Sequence, residues 1–228
     1  MASDRVAMIL AAGRGERMQP LTNYTPKPLL PVAGKPLIAH SLERLIEAGC
    51  TRVVINCAHL GEQIPATLGD GSDYGLDIVY SHEDPALETA GGIIQALPLL
   101  DCEQFVVING DVWCDTPLSN LFEHPLENNL AHLILVDNPS QHPLGDFMLD
   151  GSRITQRPHP DSQGFTYSGI GKYSRQMFTG YSAGFRPLRP LLDQAIADNT
   201  LSGEHYHGDW RDIGTPARLA QLNDELSR

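Results

Sequence analysis

The feature that most constrains the fold of this chain is a short apolar run, Val6–Leu10, that ends in a loop of small residues. Such a run is typical of a buried strand, and the loop is too rich in small residues to continue as a helix. Gly13 and Gly15 allow backbone angles and close approaches that a Cβ would block. Amides of such a loop can point at anionic oxygens, while Arg17 and Lys27 supply positive charge. We therefore predict a site for a polyanion directly after the first strand.

The residues after this loop predict an α/β fold. Apolar residues on one face over 37–46 indicate a helix that Gly49 stops, and the β-branched run 52–56 indicates a second strand. Strand, helix and strand at this spacing form a βαβ unit, so the first two strands should be parallel. Further strands are expected at 76–81, 105–109, 131–136 and 165–173, a hairpin at 147–155, and helices at 62–68, 93–97, 188–196 and from 216 onward. Pro98 is expected to end the helix over 93–97, and an N-cap at Thr89 is the purely structural alternative for the start of that helix.

Composition excludes several classes of protein. At 228 residues, with 16 Lys and Arg against 28 Asp and Glu, the chain fits one acidic domain with a net charge of −12. The basic residues are scattered, which argues against a nucleic-acid partner. The four cysteines form no CxxC pair, so reduced thiols are expected. No run is long and apolar enough for a membrane span, and no leader segment is evident, so we expect a soluble, cytoplasmic protein.

The loop matches neither the three-glycine dinucleotide fingerprint nor the phosphate loop that ends in Gly-Lys-Ser or Gly-Lys-Thr. Taken whole, LAAGRGERMQPLT (residues 10–22) followed by PKPL (26–29) resembles the entry signature of the sugar-1-phosphate nucleotidylyltransferases. A tight turn with a chance basic residue would explain the glycines, but not Arg17, Lys27 and the prolines together. The resemblance implies a Rossmann-like three-layer sandwich with a mostly parallel central sheet, similar to the GT-A fold.

The same resemblance assigns a nucleotide site and catalytic residues. LETAGG (87–92) is similar to a family string that meets the base and starts a helix, although a capped helix start with small residues would look alike. Three residues are expected to be catalytic: Arg17, Lys27 and Asp111. The expected nucleotide-binding residues are Leu10, Ala11, Ala12, Gly13, Gly15, Lys27, Glu88 and Gly91.

Two aspartates are the expected ligands of a Mg²⁺ cofactor. NGD (109–111) and WRDIGT (210–215) resemble family strings whose Asp binds magnesium, which implies Asp111 and Asp212 as ligands. Magnesium prefers hard oxygen ligands, so two carboxylates with triphosphate oxygens and water form a sensible set. The implied reaction is attack of a sugar 1-phosphate on the α-phosphorus of a nucleoside triphosphate, with release of pyrophosphate.

The second half should hold the sugar. INGDVW (108–113), DNP (137–139), GDF (145–147) and SGEHY (202–206) resemble short family members that use UTP and N-acetylmuramic acid 1-phosphate in peptidoglycan recycling. The expected substrate-binding residues are Asn109, Trp113, Gly145, Asp146, Arg157, Ser168 and Glu204. Trp113 is expected to stack on the sugar and Trp210 to pack in the core. Arg157 stands where longer relatives carry a Glu, so we hypothesise that it attracts the lactyl carboxylate.

We expect a single domain over 1–228, with a nucleotide part over about 1–115 and a sugar part over about 116–228. A monomer that binds only small-molecule substrates, with no nucleic acid and no membrane, is the expected working form. The alternatives are a mannose-1-phosphate guanylyltransferase or glucose-1-phosphate uridylyltransferase, a glycosyltransferase, or a nucleotide-binding subunit without catalysis. A glycosyltransferase would need an Asp-x-Asp motif that Asp111-Val112-Trp113 lacks, and a non-catalytic subunit would not need Lys27 and both aspartates.

Overall fold

The structure, a computed structural model, describes residues 5–227. Residues 1–4, on which the expectation of no leader segment partly rests, and residue 228 lie outside it. The strands are β1 (Val6–Leu10), β2 (Pro31–Val32), β3 (Lys35–Pro36), β4 (Arg52–Cys57), β5 (Asp77–His82), β6 (Gln104–Asn109), β7 (Val112–Cys114), β8 (Ala131–Val136), β9 (Met148–Asp150), β10 (Arg153–Thr155), β11 (Thr166–Ser174), β12 (Leu201–His205) and β13 (Trp210–Asp212). The helices are α1 (Leu37–Glu47), α2 (Gln63–Leu68), α3 (Glu88–Leu100), α4 (Leu118–Glu123), α5 (Arg189–Ala197) and α6 (Pro216–Leu226).

Nine strands form one mixed sheet in the order β5-β4-β1-β6-β11-β8-β12-β10-β9. The predicted βαβ unit is confirmed, because β1 and β4 pair in parallel, with Val6 opposite Arg52. Only β11 and β10 run against the other strands of this sheet, so most of its strands point the same way. The expected α/β fold with a mostly parallel central sheet is therefore confirmed, and the carboxyl ends of β1, β4 and β6 share one edge.

Helices cover both faces of the sheet. Alternation along β1 shows the two sides: Met8 packs in a core with α3 and α5, while Ile9 packs in a second core with α1, α2 and α4. A third, smaller core joins the loop after β1 to α6 and consists of Met18, Leu30, Val32, Leu37, Ile213, Leu219 and Leu222. This third core fixes the loop after β1 (residues 11–30), which we call the polyanion loop, against the last helix.

Three expectations about the helices need correction. Pro98 does not end α3, which continues to Leu100, because Leu100 is buried in the core and this burial offsets the missing N–H of the proline. Thr89 lies inside this helix and is not its N-cap. In α1, Ile46 is partly exposed and does not belong to the buried face. The described helices include none long and apolar enough to cross a membrane.

Candidate active site

A large cleft of about 720 Å³ opens where β1 and β6 end. Its volume lies in the range of small-molecule sites, and the carboxyl edge of an open α/β sheet is the usual place for them. Ten residues predicted from the sequence line this cleft: Leu10, Ala11, Ala12, Gly13, Gly15, Arg17, Lys27, Glu88, Asn109 and Asp111. Arg14, for which the sequence predicted no role, also lines this cleft and adds a further exposed cation to it.

The loop after β1 is held by short turns of 3-10 helix at 16–18, 21–23 and 27–29. Gly15 has a φ of 63°, and a Cβ there would lie 2.9 Å from Cγ2 of Thr22, so glycine is required at this position. Its carbonyl accepts from the Met18 amide at 2.8 Å and from the Thr22 hydroxyl at 2.9 Å. Gly13 faces open space, so its lack of a side chain leaves room in the cleft.

Lys27 and Asp111 meet at the floor of the cleft. The Lys27 ammonium donates to Oδ2 of Asp111 at 2.7 Å, although 84 residues separate the two. Lys27 is 8% exposed, whereas about a third of the Asp111 side chain is accessible. A buried ammonium needs a paired charge, so this contact keeps the cation facing the site. Arg17 is exposed and lies on the rim of the same cleft.

The second aspartate is brought beside the first by a two-stranded ladder. β13 pairs antiparallel with β7, and the Ile213 amide donates to the main-chain carbonyl of Asp111 at 2.9 Å. Asp212 pairs through Oδ2 with Nη1 of Arg218 at 2.6 Å. Over residues 5–227 no group of three or more His, Cys, Asp or Glu side chains is placed to hold a metal ion.

A buried polar network that was not predicted from the sequence supports the part of the cleft between the polyanion loop and α3. The Ala11 amide donates to Oδ1 of Asn56 at 2.7 Å, and Asn56 donates through Nδ2 to Oε1 of Glu83 at 2.7 Å. The other Glu83 oxygen accepts from the Leu87 amide at 2.8 Å. Asn56 and Glu83 are 3% and 6% exposed, and both line the cleft. Asn56 and Glu83 lie at the carboxyl ends of β4 and β5, and polar residues in that position could have been recognised from the sequence.

Through the hydrogen bond from the Leu87 amide to Glu83, the network also holds the start of α3. Glu88 has a φ of 64°, an uncommon value for a residue with a side chain, and such strain concentrates at binding sites. Gly91 does not line the cleft, but its lack of a side chain lets the segment around Gly184 pack closely against α3. A Cβ at Gly91 would lie 2.3 Å from the Gly184 carbonyl. The Gly91 amide donates to the Arg186 carbonyl at 3.0 Å, which places Phe185, 69% exposed, on the wall of the cleft.

The loop between β8 and β9 carries two of the predicted sugar-side residues. Gly145 has a φ of 66°, and a Cβ there would lie 2.6 Å from the Phe165 main chain. Asp146 accepts from the Tyr167 amide at 2.8 Å and contacts the ring nitrogen of His142 at 3.1 Å. Glu204 is exposed on β12. Gly145 and Asp146 therefore fix the shape of this loop, whatever else they contact.

Three predicted sugar contacts lie elsewhere. Trp113 packs against the third core, because Val112 and Cys114 on either side of it point into the second core and the strand alternates. Ser168 is 1% exposed, and its hydroxyl accepts from the Ile170 amide. Arg157 donates to the carbonyls of Pro160 and Ser162 within its own loop. Like Gly145, Asp146 and Glu204, none of the three is among the residues that line the large cleft.

A second cleft of about 430 Å³ begins at Asp212 and is bounded by the 137–141 segment, β13 and α6. Trp210 lines it and donates through Nε1 to the Ser168 carbonyl at 2.9 Å, while its ring also packs against the second core. Asp111 lines the large cleft and Asp212 the second one. The two aspartates therefore line different clefts, although the hydrogen bond from the Ile213 amide to the Asp111 carbonyl joins their main chains.

Several known proteins resemble this chain along most of its length. The family model described as "Nucleotidyl transferase" matches residues 6–228. An N-acetylmuramate alpha-1-phosphate uridylyltransferase from Neisseria meningitidis is 50% identical over 220 residues, which cover 94% of this chain and 95% of that protein. A mannose-1-phosphate guanylyltransferase from Mycobacterium tuberculosis is 38% identical over the whole of this chain, which spans 66% of that protein.

The fold also matches solved structures. A Bacillus anthracis protein described as a glucose-1-phosphate thymidylyltransferase superposes with a TM-score of 0.85 at 24% identity, over 99% of this chain and 96% of that one. At this identity the likeness concerns the fold alone.

Proposed function

This chain belongs to the nucleotidyl transferase family, and we propose that it transfers a uridylyl group from UTP to N-acetylmuramic acid 1-phosphate, in peptidoglycan recycling. The products are UDP-N-acetylmuramic acid and pyrophosphate. The observation that carries the proposal is the 50% identity to the meningococcal uridylyltransferase, with 95% of that protein covered. A mannose-1-phosphate guanylyltransferase remains the second candidate, supported by 38% identity, although this chain spans only 66% of that relative.

The chemistry requires two anions to meet. The sugar phosphate oxygen forms a bond to the α-phosphorus, and the bond from that phosphorus to the bridging oxygen of the leaving pyrophosphate breaks. The second pKa of a phosphate monoester is about 6, so the nucleophile is already charged at neutral pH and needs no general base. Catalysis then depends on positioning and on offsetting negative charge.

The cations and amides of the large cleft suit this task. Lys27, held by Asp111 at 2.7 Å, and the exposed Arg17 offer positive charge to phosphate oxygens. The amides of residues 12–15 are the expected donors to the triphosphate, since the Ala11 amide is already bound to Asn56, and the open space at Gly13 gives the triphosphate access. At about 720 Å³ the cleft has room for a nucleoside triphosphate.

We propose that Asp111 and Asp212 hold Mg²⁺. The donor set fits, because each carboxylate binds one cationic side chain through Oδ2, and the other oxygen of each has no hydrogen bond within the described part of the chain. Carboxylate oxygens are the ligands magnesium prefers. A bound Mg²⁺ would neutralise charge on the phosphates.

For the sugar side we propose Asn109, Gly145, Asp146 and Glu204. Asn109 lines the large cleft, and Gly145 and Asp146 belong to the loop whose residues 137–141 border the second cleft. We assign nucleotide binding mainly to about 1–115 and sugar binding to about 116–228, with Phe185 and Gly214 from the later part also lining the large cleft. We further propose that the protein acts as a monomer in the cytoplasm, where UTP is available.

The direct experiment is pyrophosphate release with Mg²⁺, each of the four common nucleoside triphosphates and a panel of sugar 1-phosphates. The proposal predicts the highest kcat/KM for UTP with N-acetylmuramic acid 1-phosphate. A clear preference for GTP with mannose 1-phosphate would favour the second candidate. No release with any pair would refute both.

A further inference from the structure

Arg218 is a cation of the site that the sequence motifs did not point to. Its Nη1 atom lies 2.6 Å from Oδ2 of Asp212 and 3.3 Å from the Asp212 main-chain carbonyl. The two side chains are 26% and 24% exposed, so about three quarters of each is removed from water. An ion pair at this burial needs good geometry to offset desolvation, and the short contact provides it.

The local sequence dictates this arrangement. Thr215 is the N-cap of α6 and its side chain accepts from the Arg218 amide, so the backbone of Arg218 is fixed in the first turn of the helix. Its side chain then reaches back over Gly214. A Cβ at Gly214 would lie 3.0 Å from Nη1 of Arg218 and 3.1 Å from Oδ1 of Asp212, so glycine leaves room for the pair.

The arrangement mirrors the other carboxylate. Lys27 holds Oδ2 of Asp111 at 2.7 Å, and Arg218 holds Oδ2 of Asp212 at 2.6 Å. The Ile213 amide bonds to the Asp111 carbonyl, so the two ion pairs are attached to one ladder. Each carboxylate on this ladder therefore has one cationic partner, which offsets part of its negative charge.

We propose that Arg218 is a positioning residue for Asp212: it fixes one carboxylate oxygen and leaves Oδ1 free to bind a divalent cation. This inference rests on the metal site assumed in the proposed function, but not on the choice of nucleotide or sugar. Partners that hydrogen-bond to metal-ligating carboxylates typically contribute 10–100-fold to metal affinity. Lysine lacks the rigid guanidinium fork, so Arg218→Lys should restore only part of this contribution.

The test is a titration of the substrate-free protein with Mn²⁺, followed by electron paramagnetic resonance. Arg218→Ala should weaken Mn²⁺ binding at least about tenfold, and Arg218→Lys less. If Arg218 acts only through the Asp212 carboxylate, its removal has no effect once that carboxylate is gone. The double variant Arg218→Ala with Asp212→Asn should therefore bind Mn²⁺ no more weakly than Asp212→Asn alone. Arg189→Ala is the matched control, since Arg189 also lies in the first turn of a helix and pairs with an aspartate at 2.8 Å, but outside the site.

Unchanged or tighter Mn²⁺ binding in folded Arg218→Ala would overturn the proposal, as would additive losses in the double variant or no Mn²⁺ binding by the wild type. Arg218→Lys retains the charge and covers the case in which the alanine variant fails to fold. Since no substrate is present, failure of the proposed function shows separately: the protein would bind Mn²⁺ through this pair yet release no pyrophosphate.

Discussion

Asn56 offers the sharpest test of how the fold supports the cleft. Its side chain accepts from the Ala11 amide at 2.7 Å and donates to Glu83 at 2.7 Å. Asn56→Ala therefore removes the partner of a main-chain donor in the polyanion loop and one donor to a buried carboxylate. The loop and the start of α3 lose the bridge that sets their separation.

The expected cost follows from these two contacts. An unsatisfied buried group costs about 1–3 kcal/mol, and a hydrogen bond to a charged group contributes about 1.5–3 kcal/mol. Water from the cleft can replace part of both, so we expect a loss of about 2–4 kcal/mol. For a chain of this size that lowers the Tm by roughly 4–15 °C, measurable by scanning calorimetry. The affinity for UTP, measured by isothermal titration calorimetry, should fall as well.

Two variants complete this test. Asn120→Ala alters an exposed asparagine on α4 and should leave the Tm within about 2 °C. Asn56→Asp keeps an acceptor for the Ala11 amide but places a second carboxylate against Glu83, so like-charge repulsion should lower the Tm even though the contact to the Ala11 amide remains. A wild-type Tm and UTP affinity in Asn56→Ala would refute the reasoning.

Three further outcomes are expected. Lys27→Ala should lower kcat about a hundredfold or more in a pyrophosphate-release assay, by loss of roughly 3 kcal/mol of electrostatic stabilisation, whereas Lys35→Ala on an exposed pair should not. Gly91→Ala should displace the segment at Gly184 and raise the KM for UTP several-fold in steady-state kinetics, with unchanged kinetics contradicting the packing argument. Burial, followed by its His124 and Lys172 neighbours, lowers the pKa of His132 to about 4, so stability present above pH 6.5 is lost as pH falls towards 4. Urea unfolding should show about 2 kcal/mol less stability at pH 5 than at pH 7 from this group, and His132→Gln should remove that part of the pH dependence.

Local patterns predicted the strands and helices that build the site. The apolar run of β1, the amphipathic face of α1 and the cap at Thr215 depend on neighbouring residues, and each is found where expected. The rule that polar residues after parallel strands share one edge placed Asp111 in the cleft. Applied more widely, it would also have identified Asn56 and Glu83.

Features set by tertiary packing could not be predicted in this way. Whether Trp113 faces a ligand or a core depends on which side of β7 is buried, and that side is decided by helices far along the chain. The continuation of α3 past Pro98 depends on burial of Leu100. Arg218 became a candidate only once the fold showed its contact with Asp212.

The most direct measurement of the central claim is product analysis by mass spectrometry after incubation with Mg²⁺, UTP and N-acetylmuramic acid 1-phosphate. We expect UDP-N-acetylmuramic acid and an equal amount of pyrophosphate, with Asp111→Asn forming about a hundredfold less of both products. Wild-type turnover by Asp111→Asn, or no nucleotide sugar from the wild type, would contradict it.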